Sequence, residues 1–218
     1  MIHISKIVKE NNRGILNSIG IIPPQAENFK PKSFAAMFKY FGDEVLSNIK
    51  DNKNFIIDDN NVEIIKQLYF YITQNESFDG DLNKGIWLYG NVGVGKTIIM
   101  LTYAKIFEHL FNRVIKTCYA MELEEIIKKF DYEFFKKRPI LLDDVGREIK
   151  SLKIWGNESI PMVDIIMRRE AYPGLTFATA QFDIKTICEK CKYGYYTYSR
   201  MKKIFNELHL CTGSDKRI

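Results

Sequence analysis

No stretch of the 218-residue chain approaches the ~18 consecutive apolar residues that a membrane-spanning helix needs. The opening Met1-Ile2-His3-Ile4-Ser5-Lys6 lacks the apolar core of a signal peptide, so a cytoplasmic protein with no membrane partner is expected. Internal repeats and low-complexity linkers are absent, which excludes solenoids and arrays of tethered modules. Cysteine is scarce: Cys118, Cys188, Cys191 and Cys211 are the only four. In an intracellular chain they read as reduced thiols rather than a disulfide framework. Cys188-x-x-Cys191 with His209-x-Cys211 could supply four zinc ligands. The first pair falls in a helix-like stretch and the second in a strand-like one, which favours plain thiols. Excess charge of one sign is also missing, because the net charge is only +5. All of that excess sits in residues 185–218, with eight Lys/Arg against three acids. A basic end suits a phosphate-bearing partner, either nucleotide or nucleic acid, or reflects the Lys-rich composition alone.

What is present is enough apolar residue, 46% of the chain, to bury the core of one ordinary domain. Ser33 is the expected N-cap of a helix that places Phe34, Met37, Phe38, Phe41 and Val45 on one face. Phe55-Ile56-Ile57 is a short apolar run. A second helix follows with Ile64, Ile65, Leu68, Tyr69 and Ile72 on its apolar side. Later strands are predicted at 85–89, 114–119, 139–143, 175–179 and 207–211. Helices are predicted at 98–111, 122–130, 159–172, 183–191 and 198–205. Strands alternating with helices imply an α/β protein with a parallel sheet covered on both faces.

The strongest local signal is Gly90-Asn91-Val92-Gly93-Val94-Gly95-Lys96-Thr97, a phosphate-binding loop (Walker A) of the form G-x-x-x-x-G-K-[ST]. Glycines let consecutive backbone N–H groups curl round an anion, and the helix that follows, from Ile98, adds its positive end. Lys96 can reach the outer phosphates of ATP and the Thr97 hydroxyl can ligate Mg²⁺. The apolar strand before the loop and the helix after it are the context that the motif requires.

Ile140-Leu141-Leu142-Asp143-Asp144 is the second signal. A buried strand ending in acids places carboxylates at the carboxyl edge of the sheet, where α/β folds bind ligands. Asp143 is expected to hold Mg²⁺ and Asp144 to orient or deprotonate the attacking water. Gln181, just past the next strand, could hydrogen-bond that water or the terminal phosphate. Arg200 and Arg217 are candidates for stabilising charge on a transferring phosphoryl group, from a neighbouring subunit or domain. Lys128, Lys129 and Phe130, with Lys136 and Lys137, mix bases with aromatics, as sequence-blind binding of single-stranded DNA does. Tyr193, Tyr195, Tyr196 and Tyr198 lie among further bases. Both segments read more readily as solvated helix faces with their rings in the core.

These pieces together resemble the AAA+ ATPases of the DnaC/IstB type, the bacterial and phage helicase loaders and transposition helper ATPases. The resemblance rests on the phosphate loop, Leu141-Leu142-Asp143-Asp144-Val145-Gly146, Arg168-Arg169, Thr179-Ala180-Gln181, Tyr193-Gly194, Ser199-Arg200-Met201 and Gly213-Ser214-Asp215-Lys216-Arg217. In that order they run over residues ~85–218. The resemblance implies an AAA+ ATPase domain over 51–218 and a small helical segment over 1–50 that grips a replicative helicase or a transposase. It implies that Arg200 is offered to the ATP of an adjacent subunit and that Arg217 touches nucleotide in its own. It also implies homo-oligomers in the ATP state around single-stranded DNA. Gln181 stands where the family usually has Asn. The function expected is an ATP-hydrolysing DNA replication factor, a loader of a replicative helicase. The alternatives are a transposition helper and, from another class, a small-molecule phosphotransferase that shares the loop and acids but needs no oligomer.

Overall fold

A computed structural model describes residues 14–25, 27–50, 53–136, 138–154, 157–172 and 174–210. Five strands form one parallel sheet: β1 (Gly85–Tyr89), β2 (Lys116–Tyr119), β3 (Ile140–Val145), β6 (Thr176–Ala180) and β7 (Phe205–His209). Their order across the sheet is β2-β3-β6-β1-β7. Leu152–Ile154 (β4) and Asn157–Ser159 (β5) make a separate antiparallel hairpin, outside the strand–helix alternation expected from the sequence.

Side chains on a strand alternate between faces, and that alternation sorts this sheet. Ile86, Leu88, Leu141, Phe177 and Leu208 point into one core. That core is closed by α1 (Gly14–Ser18), α2 (Pro31–Asn48), α3 (Val62–Ile72) and α4 (Lys96–Phe111). Trp87, Ile140, Leu142, Ala178 and Phe205 point into the other. It is closed by α5 (Leu123–Phe130), α6 (Pro161–Ala171), α7 (Ile184–Lys190) and α8 (Gly194–Ile204). The expected division near residue 50 falls between α2 and α3; Phe34 and Phe38 of α2 share a core cluster with Ile65 and Leu68 of α3.

Several expected boundaries shift for local reasons. Ser33 is not the cap of α2. Lys30 occupies that position without a side-chain hydrogen bond, and Pro31 starts the helix, because proline's fixed φ and missing N–H suit a first turn. The same preference moves the start of α6 from 159 to Pro161. The last helix begins at Gly194, four residues before the expected start, and β7 begins at Phe205 instead of 207. The apolar run Phe55–Ile57 is in neither a helix nor a strand.

Arg168 and Arg169 end α6. Arg169 is buried and donates to the carbonyls of Phe135, Lys136, Arg138 and Leu175 and to the Thr176 hydroxyl at 2.8–3.0 Å. It holds the turn before β3 against the start of β6. Burial pulls its guanidinium down to about 10. Arg168 lies over the Tyr132 ring at 4.2 Å.

Candidate functional site

Both signals come together at the carboxyl edge of the sheet. The loop from Gly90 to Gly95 leaves β1 and enters α4. Gly93 and Gly95 have φ of 82° and 95°, left-handed values at which a Cβ is strained. Gly95 forms the cap of α4, so the helix's first N–H groups are left for an anion. Lys96 is buried; its Nζ donates to the carbonyls of Gly90 at 2.8 Å and Asn91 at 2.7 Å. Val92, Gly93, Val94, Gly95, Lys96, Thr97 and Ile98 all line a cleft of about 1030 Å³.

Strand alternation places the acids. Asp143 shares parity with Leu141, and Thr179 with Phe177, so both side chains lie on the α4 side of the sheet. There the Thr97 hydroxyl donates to Asp143 Oδ1 at 3.0 Å, and the Thr179 hydroxyl donates to the same oxygen at 2.7 Å. Thr179 Oγ1 also accepts the backbone N–H of Asp144 at 2.9 Å. At Asp144 the β3–β6 register breaks and φ turns to 60°. The backbone there swings Asp144 into the cleft beside Asp143. Burial raises the Asp143 carboxyl above the ordinary range; the two threonine hydroxyls oppose that shift and the Asp144 charge adds to it.

The cleft was only partly foreseen. Gln181 lines it, and the turn that carries it is pinned by the Trp87 indole N–H donating to the Phe182 carbonyl at 3.0 Å. Thr179 appeared in the sequence only as part of a motif, yet it is the hinge of the acid network. The roof was not foreseen at all. Leu46, Ile49, Phe55 and Ile56 give it an apolar wall, with Lys53, Asp58 and Asn61 beside them. Asn61 shapes that segment: its side chain donates to the Ile56 carbonyl at 2.9 Å and accepts from Asp58 N–H at 3.0 Å. A run of Asn and Asp before a helix signals such a turn, but nothing local says that it folds over the loop.

Other predicted residues lie elsewhere. Arg200, on α8, does not line the cleft; it pairs with Glu170 of α6 and bonds and stacks on Tyr196. Arg217, Cys211 and Lys137 fall outside the described residues. Lys128 pairs with Glu124 at 2.5 Å, Lys129 lies over Phe130 at 5.1 Å, and Lys136 pairs with Glu133. Of the rings in that segment, Tyr132, Phe134 and Phe135 are buried and Phe130 is exposed. Tyr193 is buried, while Tyr195 and Tyr196 are exposed. The Cys188 thiol meets Met201 Sδ at 3.6 Å and Cys191 Sγ lies 4.0 Å from the Gly146 carbonyl.

The donor set fits magnesium and a triphosphate. One hydroxyl and two carboxylates are hard oxygen ligands of the kind Mg²⁺ prefers. Thr97 and Asp143 already lie within hydrogen-bond reach of each other. The buried Lys96 ammonium is held by two backbone carbonyls of its own loop, at the lining of the cleft.

No protein-family model matches the sequence, and no curated protein matches it. Solved structures do share the fold. One is DnaI, with a TM-score of 0.56 and 24% identity, covering 75% of this chain and 87% of that one. Another is the DnaC helicase loader, with a TM-score of 0.54 and 18% identity over 73% of this chain and 95% of that one. A third is AMPPCP-bound DnaA from Aquifex aeolicus, with a TM-score of 0.53 and 17% identity; it covers 75% of this chain and 50% of that chain. The α/β architecture expected from the sequence, a parallel sheet covered by helices on both faces, is therefore present and is shared with these structures.

Proposed function

We propose that this chain is an ATP-hydrolysing DNA replication factor of the helicase-loader kind. The observation that carries the reading is the Thr97–Asp143–Thr179–Asp144 network facing the glycine loop across one cleft. Lys96 and the loop amides bind the phosphates, and the apolar roof of Ile49, Phe55 and Ile56 takes the base. Thr97 and Asp143 hold Mg²⁺, which neutralises phosphate charge when bound. Asp144 orients or deprotonates the attacking water, and Gln181 hydrogen-bonds it. Arg200 lies outside its own cleft, which suits a group supplied to a neighbour's ATP. Arg217 is proposed to contact nucleotide in its own subunit.

The fold shared with the DnaC helicase loader supports a replicative helicase as partner. We assign its grip to the N-terminal 50 residues and the phosphate site to 51–218, with Leu46 and Ile49 of the first segment reaching over the cleft. Single-stranded DNA would lie along Lys128, Lys129, Phe130, Lys136 and Lys137, with Phe130 as the exposed stacking ring. No helix among the described residues is long and apolar enough to cross a membrane, and a cytoplasmic location follows from the reading. The test is ATPase rate with and without single-stranded DNA, run alongside a size measurement. DNA-stimulated turnover by an ATP-dependent oligomer is expected. A monomer with DNA-indifferent turnover would replace this reading with a small-molecule phosphotransferase.

A further inference from the structure

Just past the two aspartates the chain makes a tight turn that carries a third cation, Arg147, into the cleft beside Lys53 and Lys96. The Arg147 N–H donates to the Asp144 carbonyl at 3.2 Å, and Gly146 takes φ of 100°. The turn is pinned from below. Glu148 Oε2 accepts the Gly146 N–H at 2.8 Å, and Glu148 Oε1 accepts the Tyr193 hydroxyl. Tyr193 is buried at the foot of α8, so the pin ties the turn to the packed helix layer. Above the pin, Arg147 lines the cleft together with Asp143, Asp144 and the glycine loop. Its Nε faces Asp144 Oδ2 at 3.6 Å. Among the described residues its terminal amino groups carry no hydrogen bond.

An ion pair that is long and half exposed contributes little to stability. The rigid turn beneath it is therefore hard to explain as a device for making that pair. A guanidinium has five donors in a fixed fork, so it can keep one edge on a carboxylate while the other takes phosphate oxygens. Charge in the cleft points the same way: Lys53, Lys96 and Arg147 stand against Asp58, Asp143 and Asp144. Without Arg147 the cleft would be net acidic, a poor host for a net-negative magnesium–nucleotide.

We propose that Arg147 contacts the terminal phosphate from within the same subunit and so distinguishes nucleoside triphosphate from diphosphate. This rests on the nucleotide-binding reading above and adds to it a specificity residue distinct from the arginine supplied in trans. The guanidinium bridges Asp144 and the terminal phosphate, and a diphosphate leaves its outer edge to solvent.

Calorimetric titration of Mg-AMPPNP and Mg-ADP into wild type, Arg147→Ala and Arg147→Lys tests it. A charge-assisted contact of this kind makes the ratio of triphosphate to diphosphate affinity fall about tenfold in Arg147→Ala. Diphosphate affinity stays unchanged, and Arg147→Lys falls between because the shorter lysine keeps the charge but lacks the planar fork of five donors. The side chain is half exposed, so truncation leaves the core intact. If wild type binds both nucleotides and Arg147→Ala keeps their ratio, this proposal fails and the nucleotide site stands. If wild type binds neither, both fail.

Discussion

Replacing Thr179 by valine keeps the volume of a buried side chain and removes one hydroxyl. That hydroxyl donates to the Asp143 carboxylate at 2.7 Å and accepts the Asp144 N–H at 2.9 Å. The first bond involves a charged group, worth roughly 1.5–3 kcal/mol, and the second leaves a backbone donor unsatisfied at roughly 1–3 kcal/mol. Asp143 keeps Thr97 and the Asp144 N–H is only partly buried, so the loss should settle near 3 kcal/mol. For a chain of this size each kcal/mol moves Tm by about 2–4 °C, which predicts a fall of roughly 6–12 °C. Thermal unfolding followed by circular dichroism reads it. Thr179→Ser, which restores the hydroxyl and drops only a methyl, should recover most of the loss. A valine variant within about 2 °C of wild type, or a serine variant as weak as valine, would refute the hinge assigned to Thr179.

Asp143→Asn carries a sign that can be worked out in advance. Burial raises the folded-state carboxyl above its unfolded value, so its protonated form is favoured in the fold. That contribution is complete below the unfolded value and is lost as pH rises through the folded one. Without magnesium, the asparagine variant should match or exceed wild-type stability at pH 8. The gap should close as pH falls toward about 4; a variant less stable at pH 8 than at pH 4, relative to wild type, would contradict this. Arg200→Ala should keep ATP binding and lose hydrolysis in an ATPase assay, and a full-rate variant rules out the in-trans role. Burial pushes the Cys118 thiol up to about 11 and the Cys188 thiol up to about 12. Both should stay unalkylated in native protein at pH 8 by mass spectrometry and react once it is unfolded; native labelling at the unfolded rate would contradict the packing.

How much of this was legible in the sequence depends on distance along the chain. The glycine loop is one uninterrupted octet between a strand and a helix, so its residue types announce its chemistry. Asp143 ends a run of buried apolar residues, and parity along β3 then decides which face it takes. The Thr179 bond to Asp143 spans 36 positions and the Tyr193 bond to Glu148 spans 45. Only the sheet order, with β6 inserted between β3 and β1, makes the first of them. The roof formed by Leu46, Ile49 and residues 53–61 stayed hidden for the same reason, since its polar turn residues read as an ordinary loop. Arg169 resembled a motif residue in the sequence. In the fold its burial and five neutral acceptors give it a structural task.

The central claim is that the β1–α4 loop binds the phosphates of a nucleotide through Lys96. Calorimetric titration of Mg-ATP into wild type and Lys96→Ala addresses it without any partner or DNA. Saturable one-site binding to wild type that disappears in Lys96→Ala is the predicted result. Equal affinity in the two proteins, or no heat from wild type, would contradict it.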